Sequence, residues 1–200
     1  MLKVSDQRTK DYYDENAESI SELHKKLEPT SLYNVSKIYL IPNGSTLDLG
    51  CGIGRDTSWL IEKGFKCTGV DNSEGMLKLA RTLHPDLSFL NIELPMLSGL
   101  EDSSFDNIFS CAVLQHVPEN CIEEAVFNIT RVLKDDGVAI LSFRGTNNPG
   151  KREGGRLYEC YRLIDVYELF LKYGCTTLYL EERRDERGMR WSTIVIKKGS

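Results

Sequence analysis

The sequence lacks the features that would carry it into or across a membrane. Its start, Met1-Leu2-Lys3-Val4-Ser5-Asp6, becomes polar and charged too soon to hold the apolar centre of a signal peptide, and no later apolar run is long enough to span a bilayer. A cytoplasmic protein with no membrane partner is expected. The six cysteines, at positions 51, 67, 111, 121, 160 and 175, include no Cys-x-x-Cys pair. They suit neither a zinc site nor a disulfide framework and read as small buried hydrophobes, so no metal is expected. A formal charge of −5 gives no overall field to gather nucleic acid, and no nucleic-acid partner is expected.

What is present is an ordinary globular composition, 40% hydrophobic and 28% charged, in a chain of 200 residues that suits one core. Residues 1–40 are polar and helical in pattern up to the Glu28-Pro29-Thr30 break, which predicts an N-terminal helical cap. Residues 41–200 then read as one unit in which β-like runs alternate with helical ones, the pattern of a parallel sheet. Strands are predicted at Ser45–Leu49, Lys66–Asp71, Leu87–Asn91, Asn107–Cys111 and Val138–Phe143. Helices are predicted at Arg55–Lys63, Ser73–Leu83, Glu119–Leu133 and Leu163–Tyr173, with Ser73 a candidate N-cap. Pro149–Gly155 reads as a flexible loop, and Thr176–Leu180 with Trp191–Ile196 as an antiparallel hairpin joined by the charged stretch 181–190. The fold class is therefore α/β: a doubly wound, mostly parallel sheet with a C-terminal antiparallel hairpin and an N-terminal helical cap.

Chemistry concentrates first at Asp48-Leu49-Gly50-Cys51-Gly52-Ile53-Gly54, a glycine-rich turn between a predicted strand and a helix. Missing side chains let a ligand approach the backbone there, and the free N–H groups of the helix start favour a phosphate or carboxylate. Thr68-Gly69-Val70-Asp71 then ends the next strand on an acid placed to accept hydrogen bonds from both ribose hydroxyls. Together they point to an adenosine-type ligand. The bland alternative is a tight turn followed by an acid that only caps the next helix. A dinucleotide site would want a glycine at position 55, where Arg55 stands.

Leu47-Asp48-Leu49-Gly50-Cys51-Gly52-Ile53-Gly54-Arg55-Asp56 resembles the first motif of class I S-adenosylmethionine (SAM)-dependent methyltransferases, and Gly69-Val70-Asp71-Asn72-Ser73-Glu74-Gly75-Met76-Leu77 their second. Ser104-Phe105-Asp106-Asn107-Ile108-Phe109-Ser110 with Val113-Leu114-Gln115-His116-Val117 resembles the fourth-strand motif, and Arg131-Val132-Leu133-Lys134-Asp135-Asp136-Gly137-Val138 the turn before the fifth strand. A narrower resemblance, to small bacterial methyltransferases of the tellurite-resistance type, rests on Gly54-Arg55-Asp56 and on Asp185-Glu186-Arg187-Gly188-Met189-Arg190-Trp191; Ile53 departs from the serine often found in those relatives.

The resemblance implies a Rossmann-like fold, SAM as cofactor and S-adenosylhomocysteine as product. It implies that the loop of Asp48, Gly50, Cys51 and Gly52 lines the methionine portion, that Arg55 pairs with its carboxylate, and that Asp71 holds the ribose. Asn72 and Met76 would border the adenine, whose edge would be read by Ile92, Glu93 and Leu94, with Asn91 as the alternative acceptor, and Cys111 would contribute its backbone. Base-directed amino methyltransferases of this class carry an Asn/Asp-Pro-Pro-Tyr/Phe run where Ser110-Cys111-Ala112-Val113 stands, and a small-molecule acceptor is expected instead.

His116, just past the fourth strand, has a side chain suited to a general base, or alternatively to orienting its loop. Tyr12 and Tyr13 are candidates to close over the site from the cap. Tyr13, Arg144, Arg156, Tyr158, Arg187, Arg190 and Trp191 are candidates for the acceptor side, since ligands bind at the carboxyl ends of strands; the arginines would suit an anionic molecule or else pair with Glu153, Glu159, Asp185 or Glu186. His24 and His84 read as packing or surface residues. Two other functions remain in play, a SAM-binding module without catalysis and a nucleotide-dependent oxidoreductase.

Overall fold

The computed structural model describes residues 5–146 and 152–200. A seven-stranded sheet runs through the molecule, and its order is β3-β2-β1-β4-β5-β9-β8. The strands are β1 (Ser45–Leu49), β2 (Lys66–Asp71), β3 (Ser88–Asn91), β4 (Phe105–Cys111), β5 (Leu133–Arg144), β8 (Cys175–Arg184) and β9 (Arg190–Lys198). The first five are parallel, and β9 turns antiparallel against β5, with Arg144 opposite Trp191. The strand order reverses beside β1, switching from β2 to β4, and sheets of this kind bind ligands at the carboxyl ends of the strands flanking such a point.

Period-two alternation explains how the sheet is buried on both faces. Ile108, Ala139, Leu141, Phe143, Ile194 and Ile196 pack on one side against α6 (Ile122–Val132) and α7 (Leu163–Lys172). Their neighbours Phe109, Val138, Ile140 and Val195 pack on the other side with Leu32, Tyr33 and Val35 of α3 (Thr30–Tyr39) and Leu60 of α4 (Arg55–Glu62). A one-residue slip in any of these strands would exchange the two sets. Helix α5 (Glu74–Leu83) follows β2, with the Ser73 hydroxyl accepting from the Met76 amide at 3.1 Å as its N-cap.

The cap is built of α1 (Gln7–Glu15), α2 (Ala17–His24) and α3, the last beginning after Pro29. Asp6 caps α1, its carboxylate accepting from the Thr9 amide at 2.8 Å.

Three sequence expectations change. The predicted third helix starts later, at Ile122 after a 3-10 turn, and gives way at Leu133 directly to β5; the expected turn before the fifth strand is a bulge within that strand, where pairing jumps from Phe105↔Leu133 to Asn107↔Val138. The predicted loop Pro149–Gly155 lies partly outside the described residues. Its described end is ordered: β6 (Arg152–Glu153) and β7 (Arg156–Leu157) form a small antiparallel hairpin. Half of the charged stretch 181–190 is strand, because its side chains find partners along the edge: Arg190 lies 3.6 Å from Glu182, and the turn is closed by Asp185, which accepts from the Arg187 and Met189 amides.

Candidate active site

The glycine loop is held by its own backbone. The amides of Gly50 and Cys51 both donate to the Val70 carbonyl, at 2.8 and 2.9 Å, and pin the loop onto the neighbouring strand. Gly50 has φ +75, and a Cβ there would sit 2.2 Å from Val113 Cγ2, so both conformation and space demand glycine. Gly54, also at positive φ, is the N-cap of α4 and provides no side-chain cap. The first N–H groups of α4 therefore face outward as an electropositive end.

Asp71 joins this loop to the next helix. One of its oxygens accepts from Gly52 N–H at 2.9 Å and the other from Ser73 N–H at 2.9 Å. Burial pushes its carboxyl pKa up, and these backbone donors oppose the shift. Each oxygen keeps a second lone pair, which is the donor-accepting capacity a vicinal diol requires.

Asp48 is turned elsewhere. It is fully buried beneath the loop, accepts from the Thr57 hydroxyl at 2.6 Å, and is pushed up to about 8 by burial and by Asp56. Cys51 packs its side chain with Leu77, Ala80 and Phe89.

Helices α1 and α2 lie over the loop. Tyr12, Tyr13, Ala17 and Ile20 form one apolar cluster with Ile53 and Met76. Polar contacts fasten it: Asp14 accepts from the Ser73 hydroxyl at 2.7 Å and the Gly75 amide at 2.9 Å, the Thr9 hydroxyl accepts from the Leu157 amide at 2.8 Å, and Arg152 pairs with Asp6 at 2.6 Å. His24 ends α2 close above Gly52, and burial together with the charge of Arg55 drives its pKa down to about 4.

Asp14 was not singled out from sequence, and His24 was read only as a packing or surface residue. Nothing local to a cap helix marks which of its residues will meet a loop some sixty or thirty positions away.

Arg55 departs from its expected role. Its guanidinium is engaged bidentately by Asp56, at 2.8 and 2.7 Å, and donates to the Leu27 carbonyl at 3.0 Å. Tyr33 donates to the same Asp56 at 2.5 Å, so the Gly-Arg-Asp run fastens α3 to α4.

A second cluster gathers side chains from remote segments. His116 Nδ1 lies 2.7 Å from the Leu157 carbonyl, which fixes that nitrogen as the donor; Nε2, 3.2 Å from the Tyr13 hydroxyl, is then the acceptor. Burial, aided by Arg156 and Arg144, drives its pKa down to about 4, while burial lifts Tyr13 to about 12. Tyr158 meets the His116 ring edge-on at 4.7 Å. Arg144 lies over Tyr158 at 4.2 Å, and Arg156 stands 4.9, 5.8 and 5.5 Å from the rings of Tyr12, Tyr13 and Tyr158.

Gln115, buried and unpredicted, positions this group. Its side chain donates to the Ala112 carbonyl at 2.6 Å and accepts from the Arg144 amide at 3.2 Å, while its own carbonyl accepts from the Glu159 amide at 2.8 Å. Ala112 itself sits at φ +60, a strained turn at the end of β4.

Residues 47–141 match the methyltransferase domain family. The chain is similar to the putative methyltransferase YqeM of Bacillus subtilis, 34% identical over 48% of this chain and 41% of that protein, and to trans-aconitate 2-methyltransferase of Rhizobium meliloti, 37% identical over 40% and 31%. It thus spans less than half the length of these curated relatives. Among solved structures, the 1,6-didemethyltoxoflavin-N1-methyltransferase of Burkholderia thailandensis, bound to its substrate and S-adenosylhomocysteine, superposes with a TM-score of 0.77 at 19% identity, covering 97% of this chain and 88% of that one. The shared architecture is the Rossmann-like class I methyltransferase fold.

The remaining expected residues divide. Met76 is buried beneath α1 and α2, beside the loop. Past β3, Leu94 is buried in the core and Ile92 packs against it, while the Glu93 carboxylate accepts from Ser5 at 2.6 Å and Asn91 donates to Glu74 at 3.1 Å. Asn72, partly exposed, follows β2 directly. Cys111 closes β4 with its thiol near Arg55, and burial lifts the thiol to about 12. Trp191 lies opposite Arg144 in the sheet, but its indole N–H is engaged by Asp185 at 3.1 Å, and Arg190 donates to the Tyr161 carbonyl at 2.9 Å; the structure does not bring these two, or Arg187, into the His116 cluster. No cluster of metal-ligating side chains occurs among the described residues, and none of their helices is long and apolar enough to cross a membrane.

Proposed function

We propose that the chain binds SAM between the glycine loop and Asp71 and transfers its methyl group to a small-molecule acceptor beside His116. The observation that carries this reading is Asp71, whose two oxygens accept from the Gly52 and Ser73 amides and each keep a further lone pair. The uncapped start of α4 suits the carboxylate of the cofactor's amino-acid end, in place of the engaged Arg55. Ile53 and Met76 form an apolar floor, and Glu93, released from Ser5, suits an exocyclic amine. When bound, the cofactor supplies a carbon activated for direct displacement, so the protein's work is alignment and exclusion of water.

The cap performs that exclusion, and because it already packs on the loop, it must open to admit ligands. His116, neutral at physiological pH with its Nε2 lone pair directed at Tyr13, is placed to take a proton from an acceptor that displaces the Tyr13 hydroxyl. Rhizobium meliloti trans-aconitate 2-methyltransferase and the Burkholderia thailandensis toxoflavin enzyme act on small molecules, which supports a small acceptor here. The tellurite-type likeness adds no substrate residue, since its Arg55 and Asp56 serve the joint of α3 and α4.

Calorimetry with S-adenosylhomocysteine and NADH, followed by labelled-methyl transfer into metabolite fractions, tests the proposal. Binding of S-adenosylhomocysteine but not NADH, with label moving to a small molecule, is expected. Tight binding without transfer to any pool would leave a SAM-binding module, and preference for NADH would overturn the reading.

A further inference from the structure

The arginines near His116 divide sharply in how they are satisfied. Arg144 gives Nη2 to Glu153 at 2.5 Å. Arg156, half-buried, has no carboxylate within ion-pair distance among the described residues; its guanidinium lies among three tyrosine rings and hydrogen-bonds the Tyr13 hydroxyl. The Nε–H groups of both arginines are shut off from water with no hydrogen-bond acceptor. Such a donor is costly to leave unmade.

Rings meet the π-face of a guanidinium, the neutral Tyr13 hydroxyl engages it without balancing its charge, and the unmet Nε–H belongs to a planar fork that matches a carboxylate. With His116 neutral and Glu153 balancing Arg144, one positive charge in the cluster is left over. Arg156 is moreover fixed by the cap: its hairpin is tied to α1 through Thr9 with Leu157 and Asp6 with Arg152. The unspent charge is thus delivered beside His116 in the closed arrangement.

We infer that Arg156, with Arg144 behind it, binds a carboxylate on the acceptor molecule and so selects anionic acceptors. This rests on the proposed methyl-transfer function, and its failure is separable from failure of that reading. Binding of benzoate and of benzamide, nearly the same shape but differing in charge, is measured by calorimetry on protein saturated with S-adenosylhomocysteine, for wild type, Arg156→Ala and Arg156→Lys.

Wild type is expected to prefer benzoate at least tenfold. Arg156→Ala should lose that preference while its affinity for S-adenosylhomocysteine stays within twofold, and Arg156→Lys, which keeps the charge but not the fork, should retain part of it. The lysine variant decides the matter if the alanine variant does not fold. Equal binding of the two probes, no benzoate binding, or a preference that survives Arg156→Ala overturns the inference. A tenfold loss of S-adenosylhomocysteine affinity in Arg156→Ala also overturns it, by assigning the arginine to the cofactor's own carboxylate. A wild-type protein that binds no S-adenosylhomocysteine sinks the proposed function instead.

Discussion

The two halves of the site are built in opposite ways. The half around the glycine loop comes from one βαβ stretch, residues 48–76, and its geometry is set by backbone: amides of Gly50 and Cys51 on Val70, the amide of Gly52 on Asp71, and glycines where no Cβ fits. The half around His116 is assembled from side chains of α1, the turn after β4, the end of β5 and the β6–β7 hairpin, largely through rings stacked on guanidinium groups. A backbone-built half tolerates little change but does not depend on the cap for its shape. A half built from side chains of remote segments depends on α1 for its shape, since Tyr12 and Tyr13 belong to it; on the proposed reading the first half is the cofactor cradle and the second the acceptor pocket.

Substituting glycine in each half is the strongest way to break that contrast. Gly50→Val would force a side chain to within 2.2 Å of Val113 at φ +75. Backbone strain and overpacking together are expected to cost roughly 3–5 kcal/mol, enough to unfold a marginal domain. Gly155→Ala, at φ +105 with a contact of 3.0 Å to the movable Tyr12 ring, should cost about 1–2 kcal/mol. Urea unfolding checks the order, and a larger loss at Gly155 would reverse the assignment of the rigid half.

Asp71→Ala comes next. It strands the Gly52 and Ser73 amides, so a stability loss of roughly 2–4 kcal/mol is expected along with at least a tenfold loss of S-adenosylhomocysteine affinity. The position of an acid at a strand end suggests little effect on folding; the two amides it satisfies argue otherwise. Asp71→Asn, which keeps one acceptor, should fall between. Calorimetry showing full affinity in both variants would remove Asp71 from the cofactor site.

The same contrast decides what could be read in advance. The glycine loop, the acid ending β2, the Ser73 cap and the succession of strands along the chain were legible because each depends on near neighbours in sequence: strand pattern, missing Cβ atoms, a cap three residues from its amide. His116 and Arg144 could be named as candidates from their positions after strands, Tyr12 and Tyr13 from the cap, and Arg156 and Tyr158 from following the glycine-rich loop. Their mutual contacts could not, because they join residues up to 144 positions apart, as in Tyr12 with Arg156. Arg55 and Trp191 show the reverse case. Each stands in a suggestive motif, yet each is engaged by an acid within a few residues, Asp56 and Asp185, and the nearer partner wins.

A pH titration sharpens the comparison at the buried histidines. The pKa of His116 is lowered from 6.5 to about 4, so below pH 6.5 the unfolded chain takes up a proton that the folded site refuses. Stability is therefore lost as pH falls from about 6.5 toward 4, by up to about 3 kcal/mol from this residue. His24, lowered to about 4, adds a loss of the same sign. His116→Gln should remove its share, so that wild type and variant converge by that amount between pH 7 and pH 4 in urea unfolding. Parallel curves would mean that His116 is not enclosed in solution.

The smallest effect is expected at the fastening between Asp6 and Arg152, and it bears most directly on whether the halves are separable. Arg152 holds the Asp6 carboxyl down at about 2, so the pair persists across physiological pH. Both side chains are partly exposed, and such pairs contribute at most about 1 kcal/mol to global stability. Arg152→Ala leaves the Asp6 cap on the Thr9 amide intact while removing one of the ties between α1 and the hairpin. Urea unfolding should hardly change. Amide exchange in α1 should nevertheless quicken about two- to fivefold, as local opening of the cap becomes easier by under 1 kcal/mol, while exchange in α4 and α5 stays as in wild type. Raising the salt should mimic the variant, because it screens an exposed pair. If α4 and α5 quickened together with α1, the cap and the cofactor cradle would open as one unit, and the acceptor pocket could not be adjusted independently of the cradle beneath it.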